Sequence, residues 1–112
     1  MSEPPLSADP PSGPRDVTNE LVFDRIVKST KRVLVSFVAS WCDVCRSMEP
    51  ILEELVTDTG TTVITVDIEE TPQIANRFDV ESVPTFLVFE RGTVSRRLVG
   101  VQDGTNLREA FE

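Results

Sequence analysis

Apolar positions recur along most of this chain either at steps of three and four or in short continuous runs, and each pattern predicts an element. Asn19 precedes a stretch in which Leu21, Val22, Phe23, Ile26 and Val27 supply one apolar helical face, closed by Ser29-Thr30-Lys31. Arg32 to Ala39 (RVLVSFVA) is a nearly unbroken apolar, β-branched run, the pattern of a strand covered on both faces. Beyond Trp41, the residues Val44, Met48, Ile51, Leu52, Leu55 and Val56 return at helical spacing. They predict an amphipathic helix that stops before Asp58-Thr59-Gly60 and kinks at Pro50, whose ring removes one backbone bond.

Thr61 to Asp67 (TTVITVD) predicts a second buried strand, and Thr71-Pro72 opens a helix carrying Ile74, Ala75 and Phe78. Two further strands, Thr85 to Phe89 and Thr93 to Val99, are joined through Glu90-Arg91-Gly92. The glycine supplies the positive φ that a tight hairpin needs, so this pair is expected to be antiparallel. Thr105 is expected to cap a last helix with Leu107, Ala110 and Phe111, and a short leading strand is expected near Val17. The succession predicts an α/β fold, a central mixed β-sheet of four or five strands flanked by helices on both faces.

The first residues do not share these periods. Met1 to Pro14 holds five of the eight prolines with Leu6 as its one bulky apolar residue, too little burial to offset the entropy of ordering. A disordered Pro-rich tail is expected over residues 1–15, ahead of a single domain over residues 16–112; a polyproline docking ligand is the alternative reading of the tail.

Nineteen acidic against eleven basic residues leave a net charge of -8, which argues against nucleic acid or an anionic membrane as principal partner. The absence of His removes every internal Ser-His or Cys-His arrangement. No apolar run approaches the roughly 20 residues that cross a bilayer, and no basic leader precedes an apolar run at the N-terminus. The expectation is a soluble, cytoplasmic protein.

The chemistry concentrates in Trp41-Cys42-Asp43-Val44-Cys45, between a buried strand and the start of a helix. Two Cys at this spacing read as a metal or redox pair. At a helix N-terminus, unpaired N–H groups and the positive dipole end stabilise a thiolate, the reactive form of Cys. Cys42 is therefore expected to be the exposed nucleophile and Cys45 the more buried partner one turn on. A structural zinc needs four ligands, and the chain offers neither a third Cys nor a His, so only a site shared between two subunits would complete it. Two buried Cys acting as small hydrophobes would explain neither the spacing nor Trp41 ahead of them.

From about Val17 to Phe111 the chain resembles a thioredoxin. The resemblance rests on the apolar strand running into Ala39-Ser40-Trp41-Cys42, on Pro50, on Val66-Asp67-Ile68, on Val83-Pro84-Thr85 and on Gly92 and Gly100. It implies the thioredoxin fold and a cis peptide bond before Pro84, whose preceding residue Val83 would pair with an extended substrate segment. Trp41, Val83, Pro84, Val99 and Gly100 would then form a shallow apolar docking patch around Cys42. The implied activity is thiol-disulfide oxidoreduction: Cys42 attacks a protein disulfide and Cys45 resolves the mixed disulfide, with no bound cofactor and no metal. The implied electron donor is a flavin-dependent thioredoxin reductase drawing on NADPH, and a monomer is expected.

Several positions depart from the family pattern. Asp43-Val44 stands where Gly-Pro is usual, setting a negative charge beside Cys42 that complements the helix dipole and disfavours the thiolate. The family's buried Asp aligns with Ser36, its companion Lys with Thr65, and an aromatic residue beside the site with Val38. Proton transfer at Cys45 then falls to water, Ser36 or Asp67. These changes keep two other readings open: a specialised redox protein with few partners, and a scaffold subunit that holds a partner without catalysis. An oxidase or isomerase is disfavoured by the reducing compartment expected here.

Overall fold

The computed structural model describes residues 13–111, with the side chain of Phe111 outside that description. The expected tail thus lies outside the described residues up to position 12, and at its end Arg15 is already in a strand. Five strands form one sheet: β1 (Arg15–Asp16), β2 (Arg32–Val38), β3 (Thr62–Asp67), β4 (Thr85–Glu90) and β5 (Thr93–Val99), in the order β1-β3-β2-β4-β5. β1 and β2 run parallel to β3, whereas β4 is antiparallel to both β2 and β5. β5 therefore forms one edge, and a bulge interrupts its pairing between Val88 and Phe89.

The helices are α1 (Glu20–Ser29), α2 (Asp43–Ser47), α3 (Glu49–Thr59), α4 (Pro72–Arg77) and α5 (Gly104–Phe111). Asn19 caps α1, its Oδ1 accepting the N–H groups of Leu21 and Val22 at 2.8 and 3.1 Å. The apolar stripe of α1 is narrower than expected. Phe23 and Val27 are buried and Ile26 packs beside them, whereas Leu21 is 76% exposed and Val22 lies on the solvent side.

The expected kink at Pro50 is a full break. α2 ends at Ser47, and Met48 serves both as its C-cap and as the N-cap of α3, with Pro50 in the first turn. A proline has no N–H for a continuous ladder, so the chain restarts the helix where that donor is not needed. Gly60 ends α3 at φ +70, and the two-residue β4–β5 turn places Arg91 and Gly92 at φ 52 and 88, the positive pair that a tight hairpin requires. At α5 the cap is Asp103 and not Thr105, because Asp103 Oδ1 accepts the Asn106 N–H at 2.8 Å.

Alternation along the strands divides the core. Val33, Val35, Phe37, Ile64, Val66, Leu87 and Phe89 face α1 and α4, where Phe23 and Phe89 meet edge to face at 5.7 Å. Leu34, Val63, Phe86 and Val88 face α3 and α5 through Leu52, Leu55, Val56 and Leu107. Arg77 closes the first layer from outside, 5.1 Å from the Phe78 ring centre and bonded to Asp24 at 3.0 Å. None of the helices among the described residues is long and apolar enough to cross a membrane.

Candidate active site

β2 delivers the chain to the carboxyl end of the sheet, and the turn through Ser40 and Trp41 brings it back as α2. Cys42 is the N-cap residue of α2 and Cys45 lies one turn on, which holds their Cα atoms 5.3 Å apart and joined by a disulfide. Cys42 Sγ also accepts the Cys45 N–H at 3.2 Å. The expected contrast in exposure is absent from this oxidised pair. Both residues are 4% exposed, because the Cys42 sulfur turns inward to reach Cys45 and packs with Ala39, Val38, Ile68 and Val83.

Around the pair the surface is open and apolar. Trp41 is 62% exposed, and Val44, expected in the buried helix stripe, also faces solvent: the buried stripe runs through Cys45, Met48, Leu52, Leu55 and Val56, and Val44 lies at its margin. Val83 packs on the Cys pair, the Val83–Pro84 peptide is cis, and Pro84 is buried. The Gly100 N–H donates to Pro84 O at 2.8 Å, which draws the end of β5 against this loop. Val99 and Val101 are exposed beside it. Trp41, Val83, Pro84, Val99 and Gly100 thus come from two loops and the end of β5 to one end of the sheet.

Asp43 has a partner that the sequence reading did not name. Arg46 Nη2 donates to Asp43 Oδ1 at 2.6 Å, and Nη1 donates to Ser40 O at 3.1 Å. One guanidinium thereby ties the residue before Trp41 to the residue after Cys42 and offsets the carboxylate beside the sulfur. The spacing of three on a helix was the available signal.

Ser36 and Asp67 lie on the other side of the pair. A cleft of about 410 Å³ opens beneath Cys45 and is also lined by Ser36, Thr65 and Asp67. Ser36 and Thr65 are register partners on β2 and β3, as are Val38 and Asp67. Ser36 is buried and its hydroxyl has no partner among the described residues. Asp67 Oδ1 accepts the N–H groups of Glu69 and Glu70 at 2.7 and 3.3 Å.

The thioredoxin family profile matches residues 15–112. The chain belongs to the thioredoxin family. A thioredoxin of Mycobacterium bovis is 38% identical over 88 residues, covering 77% of this chain and 76% of that protein. A bifunctional thioredoxin reductase/thioredoxin of Mycobacterium leprae is 36% identical over 89 residues, but the chain spans only 19% of its length. A variant thioredoxin from Halobacterium salinarum superposes with a TM-score of 0.85 at 30% identity, covering 91% of this chain and 90% of that one. With the Cys42–Cys45 disulfide in place, this thioredoxin-family protein is a thiol-disulfide oxidoreductase, and thioredoxins as a family act on protein disulfides and are reduced by thioredoxin reductase.

Proposed function

We propose that the chain reduces disulfides in partner proteins, with Cys42 as nucleophile and Cys45 as resolving thiol. The observation that carries this reading is the Cys42–Cys45 disulfide set among Trp41, Val83, cis-Pro84 and Val99 at one end of the sheet. A partner's extended segment would lie across that apolar surface, with the backbone of Val83 beside it. Cys42 thiolate attacks one sulfur of the partner disulfide, and Cys45 thiolate then attacks Cys42, so two electrons pass to the partner and the protein pair is left oxidised. The second attack is effectively unimolecular, because both sulfurs are carried on one helical turn.

The electron carrier is the Cys pair itself, with no further cofactor or metal. A flavin-dependent thioredoxin reductase is the donor we favour, consistent with the fusion of both activities named in the M. leprae relative. A reducing compartment, the cytoplasm, is the setting that returns the pair to dithiol, and a monomer suffices because one chain supplies both sulfurs. Asp43 and Val44 replace the family's usual pair and are the features through which a narrow set of partners would be chosen.

The test is dithiothreitol-driven reduction of a model protein disulfide by wild type, Cys42→Ser and Cys45→Ser. Turnover by wild type, loss in both variants and a trapped mixed disulfide in Cys45→Ser are expected. A folded wild type with two free thiols and no turnover above background would overturn the reading and favour a scaffold.

A further inference from the structure

A resolving thiol has to lose its proton before it attacks, and the surroundings of Cys45 restrict where that proton goes. Cys45 is 4% exposed, and one of its sides is closed by Ala39 and Cys42. The cleft beneath it reaches both its side chain and the solvent. With no His in the chain, the acceptors in that cleft are carboxylates. Among the described residues they are Asp16 from β1, Asp67 from β3 and Glu49 and Glu53 from α3, with Arg46 of α2 the one cation of that described lining.

The four are not equivalent. Asp16, Glu49 and Glu53 are exposed, whereas Asp67 is half-buried. Asp67 is also the register partner of Val38, which packs against the Cys pair, and adjacent strands lie about 4.8 Å apart. The N–H groups of Glu69 and Glu70 hold one of its oxygens, which fixes the carboxylate at the cleft's edge. On the floor of the same cleft, Ser36 carries a buried hydroxyl without a partner among the described residues, a cost that a bridging water removes in a polar space of this size.

We infer that Asp67 is the proton acceptor for Cys45, reached through cleft water that the Ser36 hydroxyl positions. The inference rests on the reductase reading above. In the resolving step the Cys45 thiol gives its proton through this water to the Asp67 carboxylate. The thiolate then forms the Cys42–Cys45 bond as the Cys42–partner bond breaks, and the partner leaves as a thiolate that solvent protonates. Ser36 is a positioning residue.

Stopped-flow reaction of the reduced protein with one equivalent of dithiobis(nitrobenzoate) separates the two steps. Attack by Cys42 releases the first nitrothiobenzoate, and attack by Cys45 on the mixed disulfide releases the second. Asp67→Asn keeps the oxygen that accepts from Glu69 and Glu70, so the fold is retained. It is expected to slow the second release at least about tenfold near neutral pH, within what general-base catalysis contributes, and to abolish the acid limb of that step's pH profile. Ser36→Ala is expected to slow the second release about three- to tenfold while keeping that limb. Glu53→Gln is the control for an exposed carboxylate of the same cleft and is expected to leave the limb in place. A second release with the wild-type rate and pH profile in Asp67→Asn, or with the wild-type rate in Ser36→Ala, would overturn the relay while leaving the reductase reading intact. Absence of the first release in wild type would overturn the reductase reading itself.

Discussion

Arg46 offers a quantitative check on how the site controls its nucleophile. Its guanidinium meets Asp43, one residue from Cys42, and the two charges offset one another. Removing Arg46 leaves the Asp43 carboxylate, one residue from Cys42, uncompensated; two like charges separated by about 6 Å repel by about 0.7 kcal/mol in water and about 2.8 kcal/mol at an effective dielectric of 20. The Asp43 side chain is 90% exposed, so the aqueous value governs and thiolate formation falls about threefold. Asp43→Asn leaves the cation uncompensated and is expected to shift thiolate formation by a similar factor in the opposite direction. The double variant is expected to return close to wild type. The assay is the rate of iodoacetamide alkylation of Cys42 across pH, in a Cys45→Ser background so that one thiol reports. Both single effects should shrink in 1 M salt, where the screening length is about 3 Å. Single variants that shift alkylation in the same direction would refute this reasoning and would point instead to the Arg46–Ser40 bond acting on loop conformation.

Two further outcomes follow from the packing and the surface. Phe23→Ala removes a fully buried ring that meets Phe78 and Phe89 at 5.8 and 5.7 Å, and should cost about 3–5 kcal/mol in urea unfolding, with the folded fraction still active because the ring lies on the opposite face of the sheet from α3. Trp41→Ala removes the largest exposed apolar side chain beside Cys42 and should raise KM for a protein disulfide several-fold more than it lowers kcat, measured in the dithiothreitol-driven assay.

The strands and the Cys pair were legible in the sequence because both depend on local patterns. A continuous apolar run such as RVLVSFVA has few alternatives to a buried strand, and Cys42 and Cys45 one turn apart meet wherever a helix follows. The failures have equally local causes. Val44 suits the same apolar period as Met48 and Leu55, but Cys45 takes the buried place in the first turn and leaves Val44 at the margin of the stripe, a choice between neighbours that periodicity does not make. Thr105 and Asp103 both suit an N-cap, and only the direction of the chain leaving Gly100 decides between them. The Arg46 clamp was illegible in part because one of its acceptors is a backbone carbonyl, which every residue offers. The cleft beneath Cys45 was harder still, since small side chains at Ser36 and Thr65 mark a space only once the strands that carry them are paired.

The edge of the sheet formed by β5 bears on how such a protein survives its own working cycle. An edge strand presents unpaired backbone groups, and another copy can add to it as a template for aggregation. Here Thr93 to Arg97 are all exposed, Arg96 and Arg97 put a cation on each face of the strand, and the bulge twists the pairing away from a flat ribbon. A second β5 laid alongside would press guanidinium against guanidinium and meet an irregular register. The opposite edge, β1, is two residues long and offers little to copy. A sheet whose loops must stay open to extended segments of other proteins is thus shielded at both margins from accepting such a segment as a sixth strand.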